Sequence, residues 1–270
     1  MVRPSTLEKL DARLAQVRAG LCIGLDPDPE RLPPGLGSGV EAIVAFNRAI
    51  IAATRSRAAA YKPNLAFYEV WGAAGWQALQ ATLAAIPAEI PVILDAKRGD
   101  IGNTARMYAR ALFEELGGDA VTVSPYMGPD SLQPFVAYAD RLTFVLTATS
   151  NPGAAFLQDR QDAAGVPLYL RVAELARELD GQPGAVGLVV GATRPEVVPA
   201  IRARVPGQWL LVPGIGAQGG DLAALAPILG ERVLFNVSRE VLYASSGTDF
   251  AEAAEAAARR LQDAIFSVRC

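Results

Sequence analysis

The feature that most constrains the fold is an eightfold alternation along the chain. Eight short apolar segments rich in β-branched residues are separated by longer stretches with helical periodicity, a pattern typical of parallel strands joined by helices. Eight such units close a barrel, and barrels of this kind commonly contain about 250 residues. The predicted strands span residues 21–25, 58–61, 92–94, 120–123, 143–146, 186–190, 209–212 and 232–235. We therefore expect an α/β fold, a (β/α)8 TIM barrel, formed by residues 1–270 as a single domain.

Two further stretches carry local signals. Ser5 and Glu8 have the spacing of a capping box, which predicts an extra N-terminal helix before the first strand. Residues 151–167 are the least regular part of the sequence. A long irregular stretch after a strand is typical of a mobile loop beside an active site.

Composition and charge narrow the class of protein. The chain is 51% hydrophobic and 20% charged, so a large buried core is expected and a disordered chain is not. The formal net charge of −3 offers no basic surface to a nucleic acid. Two cysteines cannot build a disulfide framework or a thiolate metal cluster. The sequence shows no signal peptide and no membrane span, so we expect a cytoplasmic protein.

The scarcity of two residue types narrows the chemistry. The chain contains no histidine, which excludes Ser-His-Asp hydrolysis and histidine-bound zinc. Of its 25 basic residues only Lys9, Lys62 and Lys97 are lysines, and the last two lie at predicted strand ends. Lysine can release a proton in a protein, whereas arginine cannot. Lys62 and Lys97 are therefore candidates for an ammonium group that takes part in chemistry.

Polar residues follow nearly every predicted strand. In such barrels the active site lies at the carboxyl ends of the strands, so these residues are expected to meet at one rim. They are Asp26, Lys62, Asp95, Lys97, Ser124, Ser150, Gly191, the glycine-rich loop 214–220, Ser238 and Arg239. A barrel built only for packing would not need them there.

Asp95, Lys97 and Asp100 form the most informative segment. On an extended strand Asp95 and Lys97 point to the same face, and neighbouring carboxylates favour the ammonium form of Lys97. This predicts a charged donor for an anionic substrate, held between Asp95 and Asp100. A structural salt bridge is the simpler alternative. A Schiff-base lysine is disfavoured, because that chemistry requires the neutral amine.

Two loops are candidates for a phosphate site. Glycines in residues 214–221 free backbone N–H groups after the seventh strand, and Arg239 follows the eighth. Barrels commonly bind phosphate in these loops, although tight turns alone would also explain the glycines. Asp26 and Lys62 suit sugar hydroxyls or simple loop capping. Ser150 suits the edge of a heterocycle or an ordinary turn.

These segments together resemble the orotidine 5′-monophosphate decarboxylase family, in its longer bacterial subgroup, whose members make UMP in pyrimidine biosynthesis. The run from Asp95 to Thr104 resembles the family signature D-x-K-x-x-D-I-x-x-T, and the run from Gly216 to Gly220 resembles its phosphate loop. Shorter matches in the family's order are Asp26-Pro27, Tyr61-Lys62-Pro63-Asn64, Ser150-Asn151-Pro152 and Ser238-Arg239. The resemblance extends from the first strand to the eighth.

The resemblance implies roles for the matching residues. Lys97 would protonate C6 of the pyrimidine as CO₂ leaves, and Asp95 would crowd the scissile carboxylate. Asp100 and Thr104 would reach into the partner's site in a homodimer. Asp26 and Lys62 would contact the ribose, and Ser150 would contact the pyrimidine. Gln218 and Arg239 would hold the phosphate. Gly216 and Ser238 would also be substrate-binding residues. The substrate would be orotidine 5′-monophosphate, with no metal and no organic cofactor.

Two rival hypotheses stay open. Related barrel lyases that act on sugar phosphates resemble this family in the D-x-K-x-x-D motif but bind Mg²⁺. They place a carboxylate ligand at the second strand end, where this chain has Lys62. The other rival is a nucleotide-binding protein that has lost catalysis, and the intact Asp95, Lys97 and Asp100 argue against it.

Overall fold

The computed structural model describes residues 4–181, 184–215 and 222–268. Within these ranges eight strands form one sheet. They are β1 (Leu21–Gly24), β2 (Ala60–Lys62), β3 (Ile93–Arg98), β4 (Ala120–Val123), β5 (Leu142–Ala148), β6 (Ala185–Val190), β7 (Leu210–Pro213) and β8 (Val233–Val237). Every predicted strand is present, and the predicted (β/α)8 fold is confirmed. The largest difference is at β3, which extends to Arg98 and so includes Asp95, whose carboxylate is held by Lys62 and Thr122 of the neighbouring strands.

The sheet closes into a barrel with one irregular seam. The strand order is β2-β1-β8-β7-β6-β5-β4-β3, so β2 and β3 lie at its two ends. They are joined by two isolated bridges, Tyr61 with Val92 and Asn64 with Asp95. Across this seam the Asp95 N–H donates to the Pro63 carbonyl oxygen at 3.0 Å. The seam therefore includes Asp95, one of the predicted site residues.

Helices connect the strands on the outside of the barrel. They are α1 (Thr6–Val17), α2 (Gly39–Thr54), α3 (Ala66–Glu69), α4 (Gly72–Leu83), α5 (Gly102–Arg110), α6 (Pro129–Val136), α7 (Ala155–Gln158), α8 (Leu168–Leu179), α9 (Val198–Arg204), α10 (Leu222–Leu229), α11 (Arg239–Leu242) and α12 (Phe250–Ser267). Short 3-10 turns occur at Pro29–Arg31, Pro152–Ala154 and Pro195–Val197, and a π-turn at Ala111–Glu115 extends α5. In the described ranges, none of the helices has the length and apolarity needed to cross a membrane.

The predicted N-terminal helix is present as α1. The Ser5 side chain accepts the Glu8 N–H, and the Glu8 carboxylate accepts the Ser5 N–H, which completes the capping box. Leu10 and Val17 of α1 are buried in one apolar cluster with inward-facing strand residues such as Phe144. α1 therefore covers the amino-terminal end of the barrel and leaves the opposite end open.

Residues 151–167 are more regular than predicted. They contain a 3-10 turn and α7. Asp159 in this stretch forms an ion pair with Arg194 of the loop after β6, with a distance of 2.7 Å. The segment is thus tied to its neighbour, and its mobility stays a prediction.

Candidate active site

A cavity of about 800 Å³ lies at the carboxyl ends of the strands. The polar strand ends meet there, as expected for a barrel of this type. The predicted site residues in its lining are Asp26, Lys62, Asp95, Lys97, Ser150, Ser238 and Arg239. Asp100 and Thr104 are not part of the lining. Gly216 and Gln218 lie outside the described residues.

Asp95 is the centre of the charged network in this cavity. Its Oδ2 accepts a hydrogen bond from Lys62 Nζ at 2.8 Å, and its Oδ1 accepts one from Lys97 Nζ at 2.6 Å. Thr122 Oγ1 donates a further bond to Oδ1 at 2.8 Å. Asp95 and Lys62 are buried, whereas 48% of the Lys97 side chain is exposed. Lys97 is therefore oriented by a fixed carboxylate and still accessible to a ligand.

Lys97 reaches this position through an unusual backbone conformation. Its φ is +46°, a left-handed value that residues other than glycine rarely adopt. The pairing of β3 with β4 shifts in register between Leu94 and Arg98, and the Lys97 N–H donates to Thr122 Oγ1 at 3.0 Å. The extended conformation assumed in the sequence analysis is therefore wrong at this residue, although Asp95 and Lys97 do meet. Such strain costs about 1–3 kcal/mol and is concentrated at functional sites.

The two lysines keep Asp95 ionised. Burial alone would raise the pKa of Asp95, but the Lys62 and Lys97 ammonium groups outweigh it and hold the pKa well below its ordinary value. Burial opposes the charged form of Lys62, but Asp26 and Asp95 raise its pKa above the ordinary value. The stability contributed by Asp95 is present above about pH 3.9 and is lost as the pH falls from there. The contribution of Lys62 is present below about pH 10.4 and is lost as the pH rises through its higher folded-state pKa.

Asp26 connects the ends of three strands at the rim. Its Oδ1 accepts the Asn64 N–H at 3.0 Å, and its Oδ2 accepts the Ser238 hydroxyl at 2.8 Å. Gly24 makes this arrangement possible, because a Cβ there would lie 1.8 Å from Ser238 Oγ. Ser238 therefore occupies the space that a side chain at position 24 would fill.

Replacing Gly24 with alanine should displace Ser238 and lower the free energy of unfolding by about 1–3 kcal/mol, the usual cost of overpacking. Gly207→Ala is the matched control, because a Cβ there would meet no atom within 4 Å. Its free energy of unfolding should change by about 0.5 kcal/mol or less. Urea unfolding of both variants measures the difference, and equal stabilities would contradict the close approach of Ser238.

The segment that presents Ser150 to the cavity is held from two sides. Thr193 Oγ1 donates to the Ser150 carbonyl oxygen at 3.0 Å. Gly191 lies so close that an added Cβ would be 2.6 Å from Ser150 N. The Gln158 amide bonds Thr149 twice, accepting the Thr149 N–H at 2.9 Å and donating to its Oγ1 at 2.8 Å. Both peptides around Ser150 are therefore fixed in position.

Two arginines lie at the mouth of the cavity. Arg239 is the first residue of α11 and is exposed, and it forms no ion pair within the part of the chain that the structure describes. Arg31 stacks on the Tyr243 ring, with its guanidinium carbon 3.9 Å from the ring centroid. The Tyr243 hydroxyl in turn accepts the Asp28 N–H at 2.6 Å. Both guanidinium groups line the cavity and suit an anionic ligand.

Asp100 and Thr104 do not line the cavity that Lys97 of the same chain lines. The Asp100 carboxylate accepts the N–H of its neighbour Ile101 at 2.8 Å, and among the described residues it forms no ion pair. Thr104 is exposed on α5. β3 ends at Arg98, so Asp100 belongs to the following turn. Among the described residues Asp100 forms no ion pair with Lys97 and does not line the cavity of its own chain, so its predicted role depends on a second subunit.

Several residues that line the cavity were not predicted from the sequence, among them Thr122, Gln158, Arg31 and Asn236. Thr122 is a single polar residue in the otherwise apolar strand β4, and this was a usable signal. Gln158 lies in an irregular stretch without a recognisable motif. The stacking of Arg31 on a residue more than 200 positions away leaves no local pattern.

Comparisons with known proteins agree on one family. The profile of the "Orotidine 5'-phosphate decarboxylase / HUMPS family" matches residues 20–257. Relatives named orotidine 5'-phosphate decarboxylase from Thermomicrobium roseum and Herpetosiphon aurantiacus are 54% and 53% identical, over 97% and 94% of this chain and 95% of each relative. The solved structure of Leishmania donovani OMP decarboxylase has a TM-score of 0.87 at 42% identity, and covers 98% of this chain and 99% of that one. Because the matched region contains all eight strands and the whole described lining of the cavity, this chain belongs to the orotidine 5'-phosphate decarboxylase / HUMPS family.

Proposed function

We propose that this chain is an orotidine 5'-phosphate decarboxylase, which converts orotidine 5'-monophosphate (OMP) to UMP and CO₂ in pyrimidine biosynthesis. The observation that carries the proposal is the half-exposed Lys97 ammonium, held by the buried Asp95 in a cavity with two arginines at its mouth. The family and the names of the relatives support the choice of substrate. Residues 1–270 would act as a single barrel domain.

Lys97 is the proton donor in this proposal. When the bond between C6 and the carboxylate breaks, the electron pair stays on C6, where the ring offers little resonance stabilisation. A fixed ammonium beside C6 stabilises this charge more than it stabilises the substrate, so it lowers the barrier. Lys97 then gives its proton to C6, and UMP is complete. Asp95 holds the ammonium in place and lies close to the carboxylate that leaves.

The rest of the cavity binds the parts of OMP that do not react. Arg239 and Gln218 hold the phosphate, with Gly216 in the same loop. Asp26, Lys62 and Ser238 face the ribose, and Ser150 faces the pyrimidine. Binding energy from the phosphate, far from the bond that breaks, offsets the cost of bringing the substrate carboxylate close to Asp95.

Replacing Arg239 with alanine should raise KM for OMP about 10- to 100-fold, because a charge-assisted hydrogen bond to the phosphate is lost. Activity on the phosphate-free nucleoside should be unchanged. Arg260→Ala removes an exposed arginine from α12 and is the matched control, with KM expected to stay at the wild-type value. Steady-state kinetics on both substrates provides the measurement. An equal loss for the nucleoside would contradict the assignment of Arg239 to the phosphate.

The experiment that tests the proposed function is direct. The purified protein is mixed with OMP, and the ultraviolet change is followed as UMP forms. Turnover supports the decarboxylase. Tight binding of UMP without turnover would instead support a nucleotide-binding protein that has lost catalysis.

We further propose that the enzyme works in the cytoplasm without metal, organic cofactor, nucleic acid or membrane. The net charge of −3 and the two cysteines support this. Lys62 places a buried ammonium at the second strand end, where related Mg²⁺-dependent lyases have a carboxylate ligand, and a cation there repels a metal ion. Turnover that EDTA abolishes and Mg²⁺ restores would reject the metal-free mechanism.

The active unit in this proposal is a homodimer, in which Asp100 and Thr104 complete the partner's site. Apolar side chains near these two residues are exposed: Ile101 is 49% and Met107 is 51% accessible. Exposed apolar groups that cluster on one surface often mark an interface. The position of Asp100 outside the cavity of its own chain is consistent with such a contribution.

Mixing inactive Asp100→Ala and Lys97→Ala variants should restore activity. After random exchange half of the dimers are mixed, and each mixed dimer contains one intact site, so about a quarter of wild-type activity is expected for a two-fold dimer. Activity is measured after subunit exchange has been verified by mass spectrometry. No recovery in verified mixed dimers would show that each site is complete within one chain.

A further inference from the structure

Asn236 is a buried polar residue that the proposed mechanism does not use. It lies in β8 and is 8% exposed. Its carbonyl oxygen Oδ1 has no hydrogen-bond partner among the residues that the structure describes. An unpaired buried carbonyl lowers stability, and most buried polar groups in proteins are paired. An unpaired amide oxygen in a residue of the cavity wall therefore calls for a functional reason.

The position of Asn236 indicates which part of a ligand it faces. Asn236 lines the cavity, and it pairs with Cys22 of β1 and Pro213 of β7. Side chains alternate along a strand, so Asn236 and Ser238 face the same side. Because β8 runs toward the mouth, Asn236 lies deeper in the cavity than Ser238, which follows it by two residues, and Arg239, which follows it by three.

We propose that Asn236 binds the base of the substrate through its side-chain amide. The inference rests on the proposed function. With the phosphate at Arg239 and the ribose at Asp26 and Ser238, the pyrimidine occupies the deeper part of the cavity. The pyrimidine N–H can donate to Asn236 Oδ1, and a pyrimidine carbonyl oxygen can accept from Asn236 Nδ2, directly or through one water. A donor from the base, or from a water that the base holds, gives Oδ1 the hydrogen bond that it lacks.

The test compares two variants that each remove an unpaired buried polar atom. Asn236→Leu replaces the amide by an apolar group of similar size. Thr143→Val is the matched control, because Thr143 Oγ1 is also buried and unpaired but Thr143 does not line the cavity. Each variant is titrated with UMP and with ribose 5-phosphate, which lacks the base, and its thermal unfolding is recorded.

The expected result separates the base from the rest of the ligand. Asn236→Leu should bind UMP about tenfold more weakly, the usual loss for one hydrogen bond, and should bind ribose 5-phosphate as the wild type does. Its thermal stability should be unchanged or higher. Thr143→Val should bind both ligands normally.

Several outcomes would overturn the inference. Wild-type affinity of Asn236→Leu for UMP would do so, and so would an equal loss for ribose 5-phosphate. If Asn236→Leu does not fold, Asn236→Ser gives the same comparison with a smaller side chain. Failure of the wild-type protein to release UMP from OMP would reject the proposed function, whereas normal turnover with unaltered UMP binding in the variant would reject only the role of Asn236.

Discussion

Replacing Lys97 with alanine should lower kcat about 10⁴-fold or more, because both the proton donor and the charge that stabilises the carbanion are removed. The fold should be retained, since 48% of the Lys97 side chain is exposed and it holds no apolar packing in place. The left-handed backbone at position 97 is about as strained with alanine as with lysine, so the substitution should change the folding free energy little. Stopped assays at high enzyme concentration, together with circular dichroism, measure the two effects.

Lys97→Arg is the informative companion. Arginine keeps the positive charge but cannot give up its proton, so the electrostatic contribution and the proton transfer can be separated. We expect Lys97→Arg to be nearly as inactive as Lys97→Ala. A kcat close to that of the wild type in either variant would remove Lys97 from the mechanism.

Replacing Asp95 with asparagine should lower the free energy of unfolding by about 3–5 kcal/mol, the usual cost of leaving one member of a buried ion pair without its partner. Lys62 is the residue left behind, and only 4% of it is exposed. Lys97 contributes less to this cost, because its ammonium can turn to water. Urea unfolding at neutral pH measures the loss, and turnover should fall as well because Lys97 is no longer oriented.

The double variant Asp95→Asn with Lys62→Met provides the control. Replacing a buried pair by groups of similar size without charge is often neutral for stability, so the second substitution should restore at least half of the lost free energy. Activity should not return. If the double variant is no more stable than Asp95→Asn, the cost does not come from the stranded Lys62 ammonium.

The fold could be predicted from the sequence because its signals are local and repeated. Each strand is a short apolar run, and α1 begins with a capping box that needs only Ser5 and Glu8. The ends of β3 were harder to predict. Asp95 looks like the first residue of a loop, but it belongs to the strand because Lys62 and Thr122 pair with it inside the barrel.

Several residues of the site could be predicted from the sequence, but their geometry could not. Asp95 and Lys97 meet as expected, but through a left-handed Lys97 that no spacing rule indicates. Thr122 and Asn236 were not assigned roles, because their environment is made by strands that are distant in sequence. Gly24 shows the same limit: it must be glycine because Ser238, 214 positions later in the sequence, occupies the space where a side chain would lie.

At the seam between β2 and β3, the salt bridge between Lys62 and Asp95 also has a structural role. Elsewhere in the described barrel, neighbouring strands are joined by hydrogen-bonded backbone ladders, but here the wall depends on two isolated bridges. Lys62 is on β2 and Asp95 is on β3, and the salt bridge between Lys62 Nζ and Asp95 Oδ2, 2.8 Å long, links the two strands across this gap. A substitution that breaks this salt bridge to enlarge the cavity would also weaken the link between β2 and β3. Both positions are therefore constrained by the stability of the barrel wall as well as by catalysis.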